Sequence, residues 1–295
     1  MVSELSDQLL PFQLERSGLR GRLVRLGPVV DTILSRHDYP DQVARLVGEF
    51  VVLGASLAGG LKFAGSFSLQ AKGDGPVPLV LADVTNDGDI RAYAEAKEGA
   101  EETEPRLDQL MGDGYLAVTV DQSAVGGQTY QGIVELEGES LADCMISYFR
   151  RSEQVPTGMR VAVTRGEEGW RGGALVIQKL PEANPHSAEA QDAREDWQRT
   201  MLLLATLGEQ ELADPQLSEE QLLVRLFHEE GVRVFPRQDL AVGCRCSRAR
   251  IDKMLQTFSA DDLDDMADDD TGEIGVTCHW CNKTFTVDRE DFREP

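Results

Sequence analysis

Cys244-Arg-Cys246-Ser247-Arg248 and, beyond a spacer covering residues 247 to 277, Cys278-His-Trp-Cys281 decide how this chain is read. Two closely spaced thiol pairs can bring four sulfurs around one ion, and a tetrahedral sulfur set suits Zn²⁺. In a reducing compartment such spacing favours metal over a permanent disulfide framework. The expected ligands are Cys244, Cys246, Cys278 and Cys281. Ser247 fits as the N-cap of a helix bearing Ile251, Met254, Leu255 and Phe258, which sets Cys246 beside a positive helix end. Arg245, Arg248, Arg250 and Lys283 could offset the excess negative charge of four thiolates, and His279 is read as a spectator. Two uses of the site stay open: a static structural module, or a redox switch. The C-x-C pair is tighter than the usual spacing of structural sites, and a disulfide across one intervening residue is strained and easily reduced.

Seven aspartates crowd the run from Asp261 to Asp270 between the two pairs. Like charges at that density predict a solvated loop or frayed helix end. A calcium loop fails on spacing, because with Gly272 as its sixth residue the first and twelfth positions would be Ala267 and Cys278.

Upstream of residue 240 the pattern divides in two. Residues 182–240 read as a helical linker that begins polar. One helix carries Trp197, Met201, Leu204 and Leu207 and stops at Gly208; Leu202 and Leu203 widen its apolar stripe and imply burial on more than one side. A second opens with Ser218 and Gln221 in a capping-box arrangement and carries Leu222, Leu223, Leu226 and Phe227. Helices this short need a packing partner. Residues 1–181 read as a large domain of mixed sheet and helix. A helix starts at Pro40 and runs through Leu57, and another fits Ser140–Arg151. Strands fit around Phe67–Leu69, Leu79–Asp83, Tyr115–Asp121, Gln131–Leu136, Arg160–Thr164 and Ala174–Leu180, with Gly126-Gly127 between the third and fourth. Neighbouring strands with helices between groups give an α+β fold, followed by the linker and by a small zinc-binding domain over 241–295. Cys144 falls on the apolar face of the 140–151 helix and is read as a buried, inert thiol.

The 295-residue chain has a formal net charge of −23, an apolar fraction of 41% and a charged fraction of 27%, as expected of a globular protein rather than a nucleic-acid partner. No apolar run is long enough for a membrane span, and no secretory signal opens the sequence, so a cytoplasmic location is expected. An enzyme finds no support. There is no phosphate loop, Gly54-Ala-Ser56-Leu-Ala58 misses the nucleophile elbow and falls in a helix, and Cys278-x-x-Cys281 lacks the context of a dithiol oxidoreductase.

The cysteine pattern resembles the zinc switch of a known family, the redox-regulated heat-shock holdase usually called the 33 kDa chaperonin. Gly73-Asp-Gly-Pro76, Tyr148-Phe-Arg-Arg-Ser-Glu-Gln154, Gly172-Gly-Ala-Leu-Val176 and Leu226-Phe-His-Glu-Glu230 match it in order and spacing over nearly the whole chain. His279-Trp280 is a less usual filling of the second pair, and Cys144 occupies an ordinarily aliphatic site. The resemblance implies a chaperone without ATP, inactive while reduced and zinc-bound. Oxidants would convert the thiols to Cys244–Cys246 and Cys278–Cys281 disulfides, zinc would leave, and the tail and linker would lose structure. The protein would then form a homodimer and hold unfolding client proteins. Loss of the zinc domain would leave the linker helices without a partner and uncover Leu222, Leu223, Leu226 and Phe227 as the client surface. The competing expectation is a binding or scaffold protein with a static zinc module.

Overall fold

The computed structural model describes residues 5–179 and 188–292, with side chains of the first helix after the gap described from residue 192. The chain forms two compact units, Met1–Val242 and Gly243–Pro295. In the first, β1 (Gln8–Leu14) and β2 (Arg20–Leu26) precede α1 (Pro28–Leu34) and α2 (Asp41–Ala58). The meander β3 (Ser66–Gly73), β4 (Leu79–Thr85) and β5 (Asp89–Glu95) follows, then α3 (Leu107–Met111) and the hairpin of β6 (Gly114–Asp121) and β7 (Tyr130–Glu135). Next come α4 (Leu141–Tyr148) and the hairpin of β8 (Thr157–Gly166) and β9 (Gly169–Gln178). Three helices, α5 (Ala188–Ala205), α6 (Glu209–Leu212) and α7 (Glu219–Phe227), lead to three short strands, β10 (Val232–Val234), β11 (Gln238–Asp239) and β12 (Ala241–Val242). The fold is α+β.

Two mixed-order sheets share one core. The first runs β10-β1-β2-β9-β8 with β11 also on β1; the second runs β12-β5-β4-β3-β6-β7. Between them lies α2, buried along its length from Val43 to Ala58. A helix apolar nearly all round belongs inside, and α2 packs against strands of both sheets. Ser56 is buried within it, far from any exposed elbow. Cys144 is likewise fully buried, on α4, with its thiol 3.7 Å from the Glu135 carbonyl and its pKa raised by burial.

Periodicity does not announce β1 and β2, because the first sheet is covered on both faces. Leu9, Val24 and Leu26 enter the core around α2, whereas Leu10, Phe12, Leu14 and Leu23 enter a second core on the opposite face. Strands buried on both sides lose the apolar–polar alternation. Pro11 sits within β1 without breaking a ladder. β10 pairs with Phe12–Leu14 and β11 with Gln8–Leu9, so the position of Pro11 needs no N–H on that side.

The second core holds the linker helices. Leu204, Leu207, Leu212, Leu222, Leu223, Leu226 and Phe227 pack on Leu10, Phe12, Leu23, Leu175 and Ile177, with Phe227 stacked on Phe12 at 6.3 Å between ring centroids. Two glycines make this approach possible. A Cβ on Gly173 would lie 2.8 Å from Leu212, and one on Gly158 would lie 2.2 Å from the Met201 sulfur. Leu202, by contrast, is 71% exposed, so α5 buries one side only. The sequence expectation that the helices rely on the zinc domain is corrected here: their apolar faces are covered by the first sheet of their own unit.

Polar contacts fasten the same helices. Arg25 is buried on β2 and donates to three carbonyls in the α6–α7 region: Leu212 at 3.0 Å, Asp214 and Leu217. On β8, Arg160 donates to the Ala205 carbonyl at 2.8 Å, closing the C-terminus of α5. Within the helical layer, Arg199 pairs with Glu230, which is 1% exposed, at 2.6 Å.

The second unit has a small core of its own. α8 (Arg248–Leu255), α9 (Ala260–Met266) and the hairpin of β13 (Glu273–Thr277) and β14 (Thr284–Asp288) bury Ile251, Leu255, Leu263, Ile274 and Val287. The aspartate run is more ordered than its charge predicts. Ser259 caps α9, its hydroxyl accepting from the Asp262 N–H while the Asp262 carboxylate accepts from the Ser259 N–H, and Leu263 anchors the helix in the core. Local capping and one buried leucine outweigh the repulsion.

Candidate metal centre

The four cysteines arrive from two structures built for close approach. Cys278 and Cys281 lie in the turn between β13 and β14. Asn282 adopts a left-handed φ of 56° there, its N–H reaching the Cys278 carbonyl at 2.8 Å while the Cys278 N–H meets the Lys283 carbonyl at 3.0 Å. Such a turn folds the chain back within four residues and points both thiols to one side. Cys244 and Cys246 precede α8, whose N-cap is Ser247, accepting from the Arg250 N–H at 3.3 Å.

All four sulfurs lie within 4.8 Å of one another, the one such convergence of Cys, His, Asp and Glu among the described residues. Cys244 and Cys278 sulfurs are 3.7 Å apart, and Cys246 and Cys281 sulfurs 3.4 Å. A tetrahedral ion held at about 2.3 Å from each sulfur sets the sulfurs roughly 3.8 Å apart. The cluster therefore fits one Zn²⁺.

Electrostatics agrees with the spacing. Burial opposes ionisation of Cys244, but the Cys246 backbone N–H and the surrounding thiols outweigh it and bring that pKa down to about 7. Burial and the neighbouring Cys244 then push Cys246 up to about 12, and burial raises Cys281 as well. One thiolate is accommodated and the next is resisted, so the full tetrathiolate needs a cation in its midst. Two of the basic side chains offered by the sequence are engaged with other groups. Arg248 binds Asp252 at 2.6 Å, Asp291 at 3.3 Å and the Thr286 carbonyl, and Lys283 lies over the Phe285 ring.

The structure thus brings Cys244, Cys246, Cys278 and Cys281 together and leaves Leu222, Leu223, Leu226 and Phe227 in the first unit, buried on the sheet. Sequence reading missed Arg25, Arg160 and the Arg199–Glu230 pair. Arg25 alone carried a signal, a charge inside an otherwise apolar stretch, Leu23-Val-Arg-Leu26.

Comparison with known proteins follows the same lines. A family model described as "Hsp33 protein" matches residues 7–288. The 33 kDa chaperonin of Caulobacter vibrioides is 40% identical over 294 residues, covering 96% of this chain and 95% of that protein. The 33 kDa chaperonin of Pseudomonas aeruginosa is 36% identical over 286 residues, covering 97% and 93%. The crystal structure of the 33 kDa chaperonin of Thermotoga maritima superposes with a TM-score of 0.81 at 21% identity, covering 97% of this chain and 96% of that one.

Proposed function

The chain belongs to the Hsp33 family, and from that premise we propose that it is an ATP-independent chaperone of the cytoplasm, switched on by oxidation of its four clustered cysteines. The observation that carries this reading is the convergence of four thiols on a unit whose own core is five buried side chains. A core that small supplies little stability alone. Bound between the thiolates, Zn²⁺ would act as a cross-link whose binding energy, about 10–16 kcal/mol in small zinc folds, is folding energy.

Cys244, Cys246, Cys278 and Cys281 are both the ligands and the sensor. Peroxide takes two electrons from each thiol pair, forming the Cys244–Cys246 and Cys278–Cys281 disulfides while its oxygens leave as water. Thiolate ligands are consumed in that step, so the metal is no longer held and residues 241–295 lose their fold. The polypeptide is organised for this as a core over 1–181, a linker over 182–240 and a switch over 241–295. The linker helices then leave the first sheet and expose Leu222, Leu223, Leu226 and Phe227, the surface that takes unfolding clients in a homodimer.

Removal of the switch alone does not bare that surface, because the sheet covers it. Undocking must break the Arg25 and Arg160 contacts as well. The test is a paired measurement on peroxide-treated protein: zinc release with thiol count, and light scattering from a heat-unfolding client. Loss of one zinc and four thiols together with onset of holding supports the switch. Retention of metal through holding, or holding by fully reduced protein, rejects it in favour of a static zinc module. Peptide mapping should find the two disulfides within the pairs; a Cys244–Cys278 or Cys246–Cys281 bridge, between sulfurs that lie 3.7 and 3.4 Å apart, refutes the pairing. Leu223→Glu with Phe227→Glu should abolish holding and spare zinc release.

A further inference from the structure

Within the first unit, between the two sheets, lies a cavity of about 270 Å³. Its walls are apolar: Leu57 at the end of α2, Phe67, Val118 and Val120 from the second sheet, and Phe149 and Val155 after α4. Arg22 of β2 lines it too, on the inward face of its strand. Its Nη2 donates to the Gln178 side-chain amide oxygen Oε1 at 2.7 Å, but its Nε is buried and has no hydrogen-bond partner among the described residues. Burial lowers the Arg22 pKa to about 10.

The one acid in the cavity lining is already engaged. Glu153 accepts the Tyr130 hydroxyl at 2.9 Å and the Tyr148 hydroxyl at 2.6 Å at the other rim of the cavity, and Arg22 makes no ion pair among the described residues. The guanidinium cannot easily swing away, since it lies against Gly60, where an added Cβ would be 2.1 Å from Nη1. A buried guanidinium with an open N–H is costly to keep unless something accepts from it.

We propose that this cavity binds a small monocarboxylate with an apolar body, its carboxylate on the open edge of Arg22 and its chain against Leu57, Phe67, Val118 and Val120. Arginine presents a planar donor edge that matches a carboxylate. A single negative charge suits one guanidinium, whereas the apolar walls and the nearby Glu153 disfavour a dianion such as phosphate. The volume lies just below the range of about 300–1,000 Å³ for drug-sized ligands and selects a short chain.

Octanoate and octanol, titrated calorimetrically into the reduced, zinc-loaded full chain, test this. Octanoate should bind with a Kd on the order of 1 mM or tighter, given the modest energy available per ligand atom. Arg22→Gln should weaken octanoate at least tenfold and leave octanol unchanged, whereas Val120→Phe, which fills the cavity without touching Arg22, should weaken both. Should Arg22→Gln fail to fold, methyl NMR of the unaltered protein decides by whether octanoate shifts Leu57, Val118 and Val120. Absence of octanoate binding, undiminished binding to Arg22→Gln or Val120→Phe, or shifts only elsewhere overturns the proposal.

Discussion

Glu49 shows how one buried group sets a pH dependence. It lies on α2 beside Arg45, and burial first, then the charge of Glu209, raises its carboxyl pKa to about 7 against the opposing pull of Arg45. An acid whose folded pKa is raised keeps its proton longer in the native state. Its contribution to stability is therefore intact below about pH 4.5 and declines as pH rises toward about 7. Glu49→Gln should remove that slope and stabilise the protein by on the order of 1–2 kcal/mol at pH 8, with little change at pH 4, as urea unfolding at the two values would measure. Arg25 works in the opposite sense, since its loss leaves carbonyls of the α6–α7 turn without donors. Arg25→Met should loosen the linker by about 2–4 kcal/mol, and reduced protein should then hold clients without peroxide, read by light scattering. Unlike the double glutamate variant, it bares the apolar face without altering it.

Helices and strands differ in how openly the sequence declares them. The α2 helix is evident from its spacing, and so is α7 from Ser218 and Gln221, whose capping box is formed in the structure. The hairpins β6–β7 and β8–β9 follow from alternation and glycine turns. β1 and β2 stay hidden because both faces are buried, and α9 because capping at Ser259 is a local effect that charge counting overlooks. The four thiols were legible in full, since metal geometry demands short spacing within each pair. Docking of the linker onto the sheet was not, because it depends on what is absent: the side chains of Gly158 and Gly173. A bulkier residue restores them. Gly173→Val should push Leu212 off β9, expose the linker to limited proteolysis within 182–240, and yield a chaperone active in the reduced state. Glu230→Gln should act in the same direction through the Arg199 pair, at a cost on the order of 3 kcal/mol.

At the scale of the molecule, two units with cores of very different size should melt separately. A zinc chelator under reducing conditions should unfold Gly243–Pro295, seen as loss of the near-ultraviolet signal of Trp280, while the cooperative transition of the first unit persists in calorimetry. A single shared transition would contradict this. The net charge of −23 helps keep any exposed apolar face dispersed in water. Just upstream of the first cysteine pair, β10 and β11 are sewn to β1 of one sheet and β12 to β5 of the other. These seams should act as a firebreak: disorder spreading back from a melted tail is expected to stop at Val242 until heat or a second insult parts them. On the proposed reading the molecule then loses its tail first and keeps the linker docked, so that oxidation of the thiols arms it and a separate stress, such as the heat that unfolds the client, discharges it.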